Sequence, residues 1–338
     1  MKAIHLIKNG KASEAFETRD IPAPKPKTGE VQIKVAAFGL NFADVMARKG
    51  MYQDAPPMPC LLGYDVAGVV SEIGEGVTIL KIGDRVTAMT RFGGYAEVVI
   101  TEQRAAAKIP DEMDFAAATA LTTQYCTAYY AAAEMVNLHK GDKVLVHSGA
   151  GGVGTALIQF ALYKGCEVFS TAGSDAKVAL LKSVGVHHPI NYNTQDFESV
   201  IKEITNGAGL DVIFDAVGGS YVRKGFRALA HGGRIVCYGA ADLSNRNIFS
   251  KIKAALAFGI YHPVVFMMNS KSMIGVNMLR IADHKQDVLQ RCLQNVIELT
   301  KQGVFKPSVG KAFPVAEIAN AHEFLEGRGS TGKIALLW

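Results

Sequence analysis

Hydrophobic and polar positions alternate in short runs through the first 110 residues. The clearest examples are 31–35, 65–74 and 94–100, which are separated by glycine-containing turns. A period of two is typical of half-buried strands. Closely spaced short strands with glycine turns predict a small barrel-like unit rather than a series of βαβ repeats.

A different pattern begins near residue 115. An alanine-rich helical segment is predicted over 116–133, and strand-length apolar runs then alternate with helix-length stretches as far as residue 238. Such alternation predicts parallel βαβ units and a doubly wound sheet. Further on, the pattern predicts a long amphipathic helix over 286–300 and a final strand over 333–337 that returns to the first unit.

The stretch 144–154 combines a strand-like apolar run with a glycine turn. Gly149, Gly151 and Gly154 have the G-x-G-x-x-G spacing, and an apolar helical pattern follows them. In dinucleotide-binding folds these glycines allow a tight turn, close approach of the backbone to a pyrophosphate, and close packing of helix on strand. The phosphates then lie at the positive end of the helix dipole. Dinucleotide binding is therefore predicted.

The end of the next predicted strand indicates which nucleotide is bound. In NAD-binding folds, an Asp or Glu about 20 residues after the glycines usually binds the ribose 2′-OH. Here the strand ends in small neutral residues, and Ser174 and Lys177 follow one helical turn apart. A hydroxyl and an ammonium suit a 2′-phosphate, so NADPH is predicted. Two alternatives stay open: Ser174 as an ordinary helix N-cap, and Asp175 as a ribose ligand.

Composition and charge exclude several other classes. The 338 residues suffice for two domains, and a formal net charge of +5 without a long basic run does not predict nucleic-acid binding. The five cysteines are far apart and include no C-x-x-C pair, so neither a disulfide framework nor a cysteine zinc site is indicated. No signal-peptide pattern or bilayer-length apolar run is visible. The protein is therefore predicted to be cytoplasmic.

Several motifs together resemble one known family. They are 39–44 (GLNFAD), 63–68 (GYDVAG), 127–129 (TAY), 150–154 (AGGVG) and 215–219 (DAVGG). The chain resembles the zinc-free quinone oxidoreductase branch of the medium-chain dehydrogenase/reductase superfamily, and within it the vesicle amine transport protein 1 homologue group. The resemblance implies an α/β fold in which a GroES-like β-rich catalytic domain covers 1–122 and 268–338. A Rossmann-type domain with a doubly wound parallel sheet would cover 123–267.

The resemblance also implies an activity and its residues. The activity is zinc-independent, NADPH-dependent transfer of hydride to a quinone or an α,β-unsaturated carbonyl. Asn41, Tyr52 and Thr127 would be catalytic, with Asn41 and Tyr52 near the nicotinamide ring and the substrate carbonyl, where neutral donors stabilise charge on oxygen. The implied cofactor-binding residues are Gly151, Gly152, Val153, Ser174, Lys177, Tyr192, Tyr238, Gly239, Ala240 and Arg328.

Four of these residues also have a purely structural interpretation. Asn41 is equally compatible with the N-cap of a following helix. Tyr52 is compatible with a loop residue packed beside the prolines that follow it, and Thr127 with a helical residue bonded back to a carbonyl. Tyr192 is compatible with an ordinary core or loop aromatic residue.

No metal site is predicted. Zinc alcohol dehydrogenases, which resemble this chain around Gly63, carry a zinc-binding histidine where Tyr64 stands and a zinc-binding cysteine near Asn41. An amide and a phenol are poor zinc ligands. Asp44 and Asp65 have no histidine partners nearby in the sequence and are predicted to be solvated or structural.

The apolar segment 247–268 is predicted to be either a helix packed on the core or a lid over a hydrophobic substrate. A rival hypothesis is a non-enzymatic, NADPH-sensing module that associates with lipid or membranes. In it, this segment and Lys251, Lys253 and Lys271 would contact anionic headgroups; membrane association is not the favoured prediction. The strand pattern at 272–276 predicts a homodimer, by analogy with the family.

Overall fold

The structure, a computed structural model, describes residues 1–241, 257–259 and 261–338. These residues form two compact units. The first contains Met1–Cys126 and Met278–Trp338, and the second contains Thr127–Asn277. The described strands are, in chain order, β1 (Lys2–Leu6), β2 (Phe16–Asp20), β3 (Glu30–Leu40), β4 (Cys60–Leu61), β5 (Asp65–Ile73), β6 (Arg85–Met89), β7 (Val98–Glu102), β8 (Ala106–Lys108), β9 (Lys143–Val146), β10 (Glu167–Ala172), β11 (His188–Asn191), β12 (Leu210–Asp215), β13 (Leu229–Cys237), β14 (Ser272–Gly275), β15 (Val309–Pro314) and β16 (Lys333–Leu337).

The first unit is built on a seven-stranded sheet. Its order is β15-β16-β3-β5-β6-β8, with β7 also pairing with β3, and a smaller sheet has the order β2-β1-β4. The long strand β3 is central because its inward residues, such as Ile33 and Phe38, are fully buried in the core of this unit. The C-terminal strand β16 returns to the first unit, as the sequence pattern predicts, and there it pairs antiparallel with β3.

Helices cover the first unit and connect its strands. The 16-residue helix over Gln286–Lys301 buries Leu289, Leu293 and Val296 along one face, as an amphipathic helix should. The predicted helical segment over 116–133 is less regular, because α-helical turns alternate with two π-helical stretches. The helices of this unit and of that segment are Phe42–Arg48, Phe115–Ala120, Leu121–Tyr125 (π), Cys126–Tyr129, Tyr130–Met135 (π), Met278–His284, Gln286–Lys301 and Ile318–Glu326, with 3-10 turns at Ala12–Glu14, Gln103–Ala105 and Val315–Glu317.

The second unit is a parallel six-stranded sheet flanked by helices. Its strand order is β11-β10-β9-β12-β13-β14, the order of a dinucleotide-binding doubly wound sheet. The central strands read as nearly continuous apolar runs because both faces are buried, which is characteristic of parallel sheets. Its helices are Gly152–Tyr163, Asp175–Ser183, Phe197–Ile204, Ser220–Ala228 and Pro263–Asn269. The predicted α/β fold with a β-rich unit and a Rossmann-type unit is confirmed.

The elements that have no counterpart in the sequence prediction include β2, β15 and the helix over Ile318–Glu326. Strand β2 shows the reason, since its residues are mostly polar and exposed, yet it pairs with β1 from Lys2↔Asp20 to Leu6↔Phe16. Backbone pairing with a neighbouring strand leaves no hydrophobic pattern to detect.

The segment predicted as a lid or packed helix lies partly outside the described residues, at 247–256 and 260, and so do Lys251 and Lys253. In its described part, the short helix over Pro263–Asn269 packs Val265 and Phe266 against the core of the second unit. Met267 and Met268 on the same helix are 76% and 80% exposed. None of the helices in the described ranges is both long and apolar enough to cross a bilayer.

Candidate dinucleotide site and candidate active site

The glycine turn of the second unit is shaped by close backbone approaches. A Cβ at Gly149 would lie 1.9 Å from the Ser170 hydroxyl, and a Cβ at Gly154 would lie 2.4 Å from the Ser148 carbonyl oxygen. Only glycine fits at these two positions. At Gly151, a Cβ would meet the Ser148 carbonyl oxygen at 3.3 Å, and no other atom of the described residues crowds the outer side of the turn.

The helix over Gly152–Tyr163 begins directly at this turn. Gly151 is its N-cap, and the first intrahelical bond runs from the Thr155 N–H to the Gly151 carbonyl at 2.8 Å. The N–H groups of the first turn, including those of Gly152 and Val153, therefore have no acceptor within the helix. No acidic residue lies in this turn. The arrangement can hold an anionic group such as a pyrophosphate.

The end of β10 carries the residues predicted to choose the nucleotide. Ser174 is the N-cap of the helix over Asp175–Ser183, and its hydroxyl accepts the Lys177 N–H at 3.3 Å. The structural interpretation of Ser174 thus describes a real contact. The Lys177 side chain is half-buried, and burial lowers the pKa of its ammonium.

The structure shows one contact of the Asp175 side chain. Its carboxylate accepts the Asn191 side-chain amide at 2.7 Å, so one of its oxygens is already engaged beside β11. Next to it, a Cβ at Gly173 would lie 2.2 Å from the Tyr192 hydroxyl, so the Tyr192 ring covers the strand end. Tyr192 is thus brought beside the Ser174 turn, at the edge of the sheet where a nucleotide would bind.

The remaining predicted cofactor residues lie at separate places. Tyr238 and Gly239 follow β13, where the Tyr238 N–H donates to the Asp215 carbonyl at 3.0 Å and burial raises the pKa of the Tyr238 phenol. Ala240 follows them. Arg328 belongs to the first unit, where it is exposed after the helix over Ile318–Glu326 with a φ of 56°. Its cofactor role stays a prediction.

In the first unit, Asn41 stands at the end of β3 and at the N-cap of the helix over Phe42–Arg48. The Asp44 carboxylate accepts the Asn41 backbone N–H at 2.8 Å, as in a capping box. The Asn41 side chain is engaged in a different contact: its Nδ2 donates to the Asp65 carboxylate at 2.5 Å, and its Oδ1 accepts from Lys333 at 3.0 Å. Asn41 is therefore both a helix-start residue and part of a buried polar group.

That polar group, which we call the Asp65 cluster, consists of Asp65, Asn41, Lys333, Thr122 and Thr123. One Asp65 oxygen accepts from Asn41 and Lys333, and the other accepts from the Thr122 hydroxyl at 2.8 Å and from Thr123. Asp65 and Lys333 are both fully buried. Strand register assembles the cluster, because β3 pairs with β16 on one side (Ile334↔Leu40) and with β5 on the other (Gly39↔Asp65).

Of the two alternatives predicted for Asp44 and Asp65, solvated or structural, the first is wrong. Both carboxyls have no exposed surface. Burial raises the pKa of Asp44 to about 7, partly offset by the N–H groups of Asn41 and Gly63 that it accepts. Sequence spacing did not reveal this, because the group that neutralises Asp65 is Lys333, which is distant in the sequence. The paired strands place them together.

Tyr52 belongs to an aromatic group of the first unit. Its ring meets the Tyr64 ring edge-on, with the centroids 6.3 Å apart, and Tyr64 in turn lies 5.1 Å from Phe92. Tyr52 is half-buried, and burial raises the pKa of its phenol. The phenol therefore stays protonated at neutral pH and can donate a hydrogen bond. Thr127, in the second unit, is buried on the helix over Cys126–Tyr129.

Sequence reasoning missed Lys333, Thr122 and Thr123. The signal available for Lys333 is a lone charged residue at the start of an apolar strand, which usually indicates a solvated strand end. Thr122 and Thr123 lie in a π-helical stretch, Leu121–Tyr125, and such turns are frequent at functional sites. That signal is available only from the structure, because the sequence pattern shows neither a π-helix nor which strands are neighbours.

Comparison with known proteins agrees with the fold. Two family models match the chain: an alcohol dehydrogenase GroES-like domain over residues 27–111, and a zinc-binding dehydrogenase over residues 152–294. The synaptic vesicle membrane protein VAT-1 homolog of Rattus norvegicus is 35% identical over 326 residues, which cover 95% of this chain and 80% of that protein. The quinone oxidoreductase of Homo sapiens is 32% identical and covers 100% of this chain and 98% of its own length.

Among solved structures, the Escherichia coli quinone oxidoreductase complexed with NADPH has a TM-score of 0.88 and 27% identity over all of both chains. A GroES-like β-rich unit and a parallel sheet with a glycine turn define a two-domain dehydrogenase-type oxidoreductase fold. The chain belongs to the medium-chain dehydrogenase/reductase superfamily, with VAT-1 homologues and quinone oxidoreductases among its relatives.

The residues of this chain do not fit the zinc that one family model names. Asn41 offers an amide and Tyr64 a phenol, and neither is a ligand that zinc prefers. Of the two carboxylates beside them, Asp65 already receives hydrogen bonds at both oxygens and is paired with the Lys333 ammonium. Asp44 accepts the backbone N–H groups of Asn41 and Gly63, one at each oxygen. Among residues 1–241, 257–259 and 261–338, no three His, Cys, Asp or Glu side chains form a metal-binding group.

Proposed function

We propose that this protein is a zinc-independent, NADPH-dependent oxidoreductase that transfers hydride to a quinone or an α,β-unsaturated carbonyl. The observation that carries the proposal is the Asn41 side chain, a neutral amide donor held in a fixed orientation by two charged partners. A fixed neutral donor suits a reaction in which negative charge develops on a carbonyl oxygen. Quinones and enones share that feature.

NADPH fits the second unit at two places. Gly151, Gly152 and Val153 offer the open side of the glycine turn and unpaired helix N–H groups for the pyrophosphate. Ser174 and Lys177 offer a hydroxyl and an ammonium for the 2′-phosphate, while the neighbouring carboxylate of Asp175 is engaged with Asn191. Tyr192, Tyr238, Gly239, Ala240 and Arg328 are proposed as further cofactor contacts.

NADPH, when bound, supplies the hydride. Asn41 has a second N–H on Nδ2, beyond the one given to Asp65, that can be donated to the substrate oxygen. Tyr52, whose phenol stays protonated, is proposed as the second donor. Thr127 is proposed to line the substrate pocket. These groups orient the substrate and stabilise charge on its oxygen without being charged themselves.

The test is NADPH oxidation with 1,4-benzoquinone, 9,10-phenanthrenequinone, an alkenal and a saturated aldehyde. Turnover of a quinone or the alkenal, with little turnover of the saturated aldehyde and no effect of a chelator, supports the proposal. Tight NADPH binding without turnover of any of the four compounds refutes it.

The proposed preference for NADPH over NADH can be tested with a single substitution at Lys177. Lys177→Gln is expected to weaken NADPH binding by about tenfold or more, the usual effect of losing a charge-assisted hydrogen bond, and to leave NADH binding unchanged. Isothermal titration with both nucleotides measures it. Lys182→Gln, at the exposed end of the same helix, is the matched control and should change neither affinity. An equal loss for NADPH and NADH would contradict the 2′-phosphate assignment.

A homodimer is proposed through β14, the edge strand of the six-stranded sheet. The Val276 N–H points inward to the Cys237 carbonyl, and N–H directions alternate along a strand, so the Gly275 N–H points to the open edge. Gly275→Pro removes that donor at a position where an added Cβ meets no atom of the described residues within 4 Å. By light scattering, we expect wild type and Gly275→Ala to be dimers and Gly275→Pro to be monomeric. A dimeric Gly275→Pro would exclude this edge as the interface.

The second candidate function is the NADPH-sensing, lipid-associating module. The exposure of Met267 and Met268 favours it, as do relatives named as vesicle membrane proteins. Against it, the Lys271 ammonium donates to the Phe226 carbonyl at 3.0 Å and is not directed outward. Flotation with anionic liposomes, with and without NADPH, tests this function, and binding abolished by Met267→Ser/Met268→Ser would support it.

A further inference from the structure

We propose that Lys333, together with Asp65, positions the Asn41 side chain for the reduction; the inference rests on the function proposed above. The amide is held at both ends, with Nδ2 on the Asp65 carboxylate at 2.5 Å and Oδ1 on the Lys333 ammonium at 3.0 Å. An amide turned by 180° would place its NH₂ against the ammonium and its oxygen against the carboxylate. Both contacts would be repulsive, so the charged pair selects one orientation.

The selected orientation leaves a defined donor. Asn41 Nδ2 carries two protons, and one of them is donated in the hydrogen bond to Asp65. The Asn41 residue is 8% exposed. The second proton is therefore directed away from the Asp65 carboxylate. A donor that is already oriented costs no reorganisation when charge develops on the substrate, and this is how a positioning residue contributes to rate.

The chain makes room for the lysine. A Cβ at Gly39 would lie 2.2 Å from Lys333 Cε and 2.6 Å from Nζ, so the lysine side chain passes directly over this glycine. Gly39 has an ordinary backbone conformation, because its φ is not among the positive values. The glycine is therefore needed for space, and the space is occupied by Lys333.

The electrostatic arrangement is also complete. A fully buried ammonium is costly unless it is paired and hydrogen-bonded, and Lys333 is both. The opposite oxygen of Asp65 receives Thr122 and Thr123, so the carboxylate is held by hydrogen bonds on both sides. A buried ion pair by itself is weak grounds for stability. Its contact with Asn41 gives this pair a role in orientation.

The test is a double-mutant cycle on kcat for a quinone. Lys333→Met alone leaves the Asp65 charge buried without its partner and is expected to unfold the first unit. Lys333→Met/Asp65→Asn removes both charges together. We expect this pair to lower kcat by about tenfold or more, as for lost hydrogen bonds to charged groups, with the NADPH dissociation constant unchanged.

The same two substitutions are then made in an Asn41→Ala background. If the charged pair acts through Asn41, they lower kcat no further there. A merely structural role would lower kcat by the same factor in both backgrounds, and that result would overturn the inference. Gly39→Ala gives an independent check, because it keeps every polar group and its Cβ overlaps the Lys333 side chain, while the Thr119 Cβ is a looser contact at 3.1 Å. Its kcat is expected to fall while the NADPH dissociation constant stays the same.

A readout without turnover separates this inference from the proposed function. The Asn41 side-chain amide signals in a ¹H–¹⁵N spectrum are assigned by their absence in Asn41→Ala. In Lys333→Met/Asp65→Asn we expect these protons to exchange with water about tenfold faster than in the wild type. If the wild type reduces no compound, the proposed function fails, and this exchange rate still decides the positioning. An unchanged rate would overturn it.

Discussion

Asn41→Ala is expected to lower kcat for quinone reduction by about a hundredfold, with NADPH binding unchanged. Removing one preoriented donor from a developing oxyanion typically costs 10²- to 10³-fold, and we use the lower end because Tyr52 is proposed as a second donor. Asn41 is not among the cofactor contacts proposed above, so the dissociation constant should not change. Stopped-flow single turnovers with saturating NADPH measure the effect on the chemical step.

The control for this variant is Gln32→Ala. Gln32 is also a buried amide of the first unit held at both ends, with Nε2 on the Pro24 carbonyl at 2.7 Å and Oε1 accepting the Ser71 hydroxyl at 2.6 Å. Its loss should reduce stability without changing kcat. If Asn41→Ala keeps kcat within threefold of the wild type, Asn41 serves only as the start of the helix over Phe42–Arg48.

Asp44→Asn is expected to remove a pH-dependent contribution to the free energy of unfolding that amounts to as much as about 4 kcal/mol. In the folded protein the pKa of Asp44 is raised from 3.8 to about 7, chiefly by burial. Between about pH 4 and 7 the folded chain therefore holds a proton that the unfolded chain has lost. The free energy of unfolding contributed by Asp44 falls as pH rises through this window, by about 1.4 kcal/mol per pH unit.

Other buried groups mask this slope in the wild type. Burial raises the pKa of Asp215 to about 6, which acts in the same direction as Asp44. Burial lowers the pKa values of His147 and His322 to about 3, so the unfolded chain takes up their protons first below pH 6.5 and stability falls toward acid. The two pairs oppose each other between pH 4 and 6. The informative quantity is the difference between variant and wild type.

Urea denaturation at pH 5, 6, 7 and 8 gives that difference. Relative to the wild type, Asp44→Asn should gain stability as pH rises from 5 to 7 and then level off. Asp196→Asn is the matched control: the pKa of Asp196 is lowered by its contact with Lys224, so its difference from the wild type should be constant across this range. A constant difference for Asp44→Asn as well would show that Asp44 is ionised throughout.

Much of the fold was predictable because its determinants are local. The period-two runs of β3 and β5, the alternation from β9 to β13, and the amphipathic helix over Gln286–Lys301 each leave a pattern within one short segment. Strand β2 left none, since it is held by backbone pairing with β1. The π-helical stretches also left no recognisable pattern in the sequence. One extra residue in a helical turn changes neither the composition nor the local hydrophobicity of the segment.

The candidate site divides in the same way. The glycine turn lies within one short segment, so the spacing of Gly149, Gly151 and Gly154 is enough to predict it, and the family motifs point to Asn41. The residues that Asn41 contacts could not be predicted in this way. Lys333 lies on β16 and Asp65 on β5, the strands that flank β3 on its two sides. Only the register of these two strands against β3 brings both charged groups into contact with the Asn41 side-chain amide.

The sequence by itself determined the α/β class, the dinucleotide turn and the amide and phenol at Asn41 and Tyr64, which are poor zinc ligands. These follow from residue type and spacing over a few positions. Tertiary structure decided that Asp44 and Asp65 are buried, that Asp175 is engaged with Asn191, and that Lys333 contacts Asn41. Burial and charge pairing depend on which distant segments meet, and long-range pairing is not encoded in any single stretch of the chain.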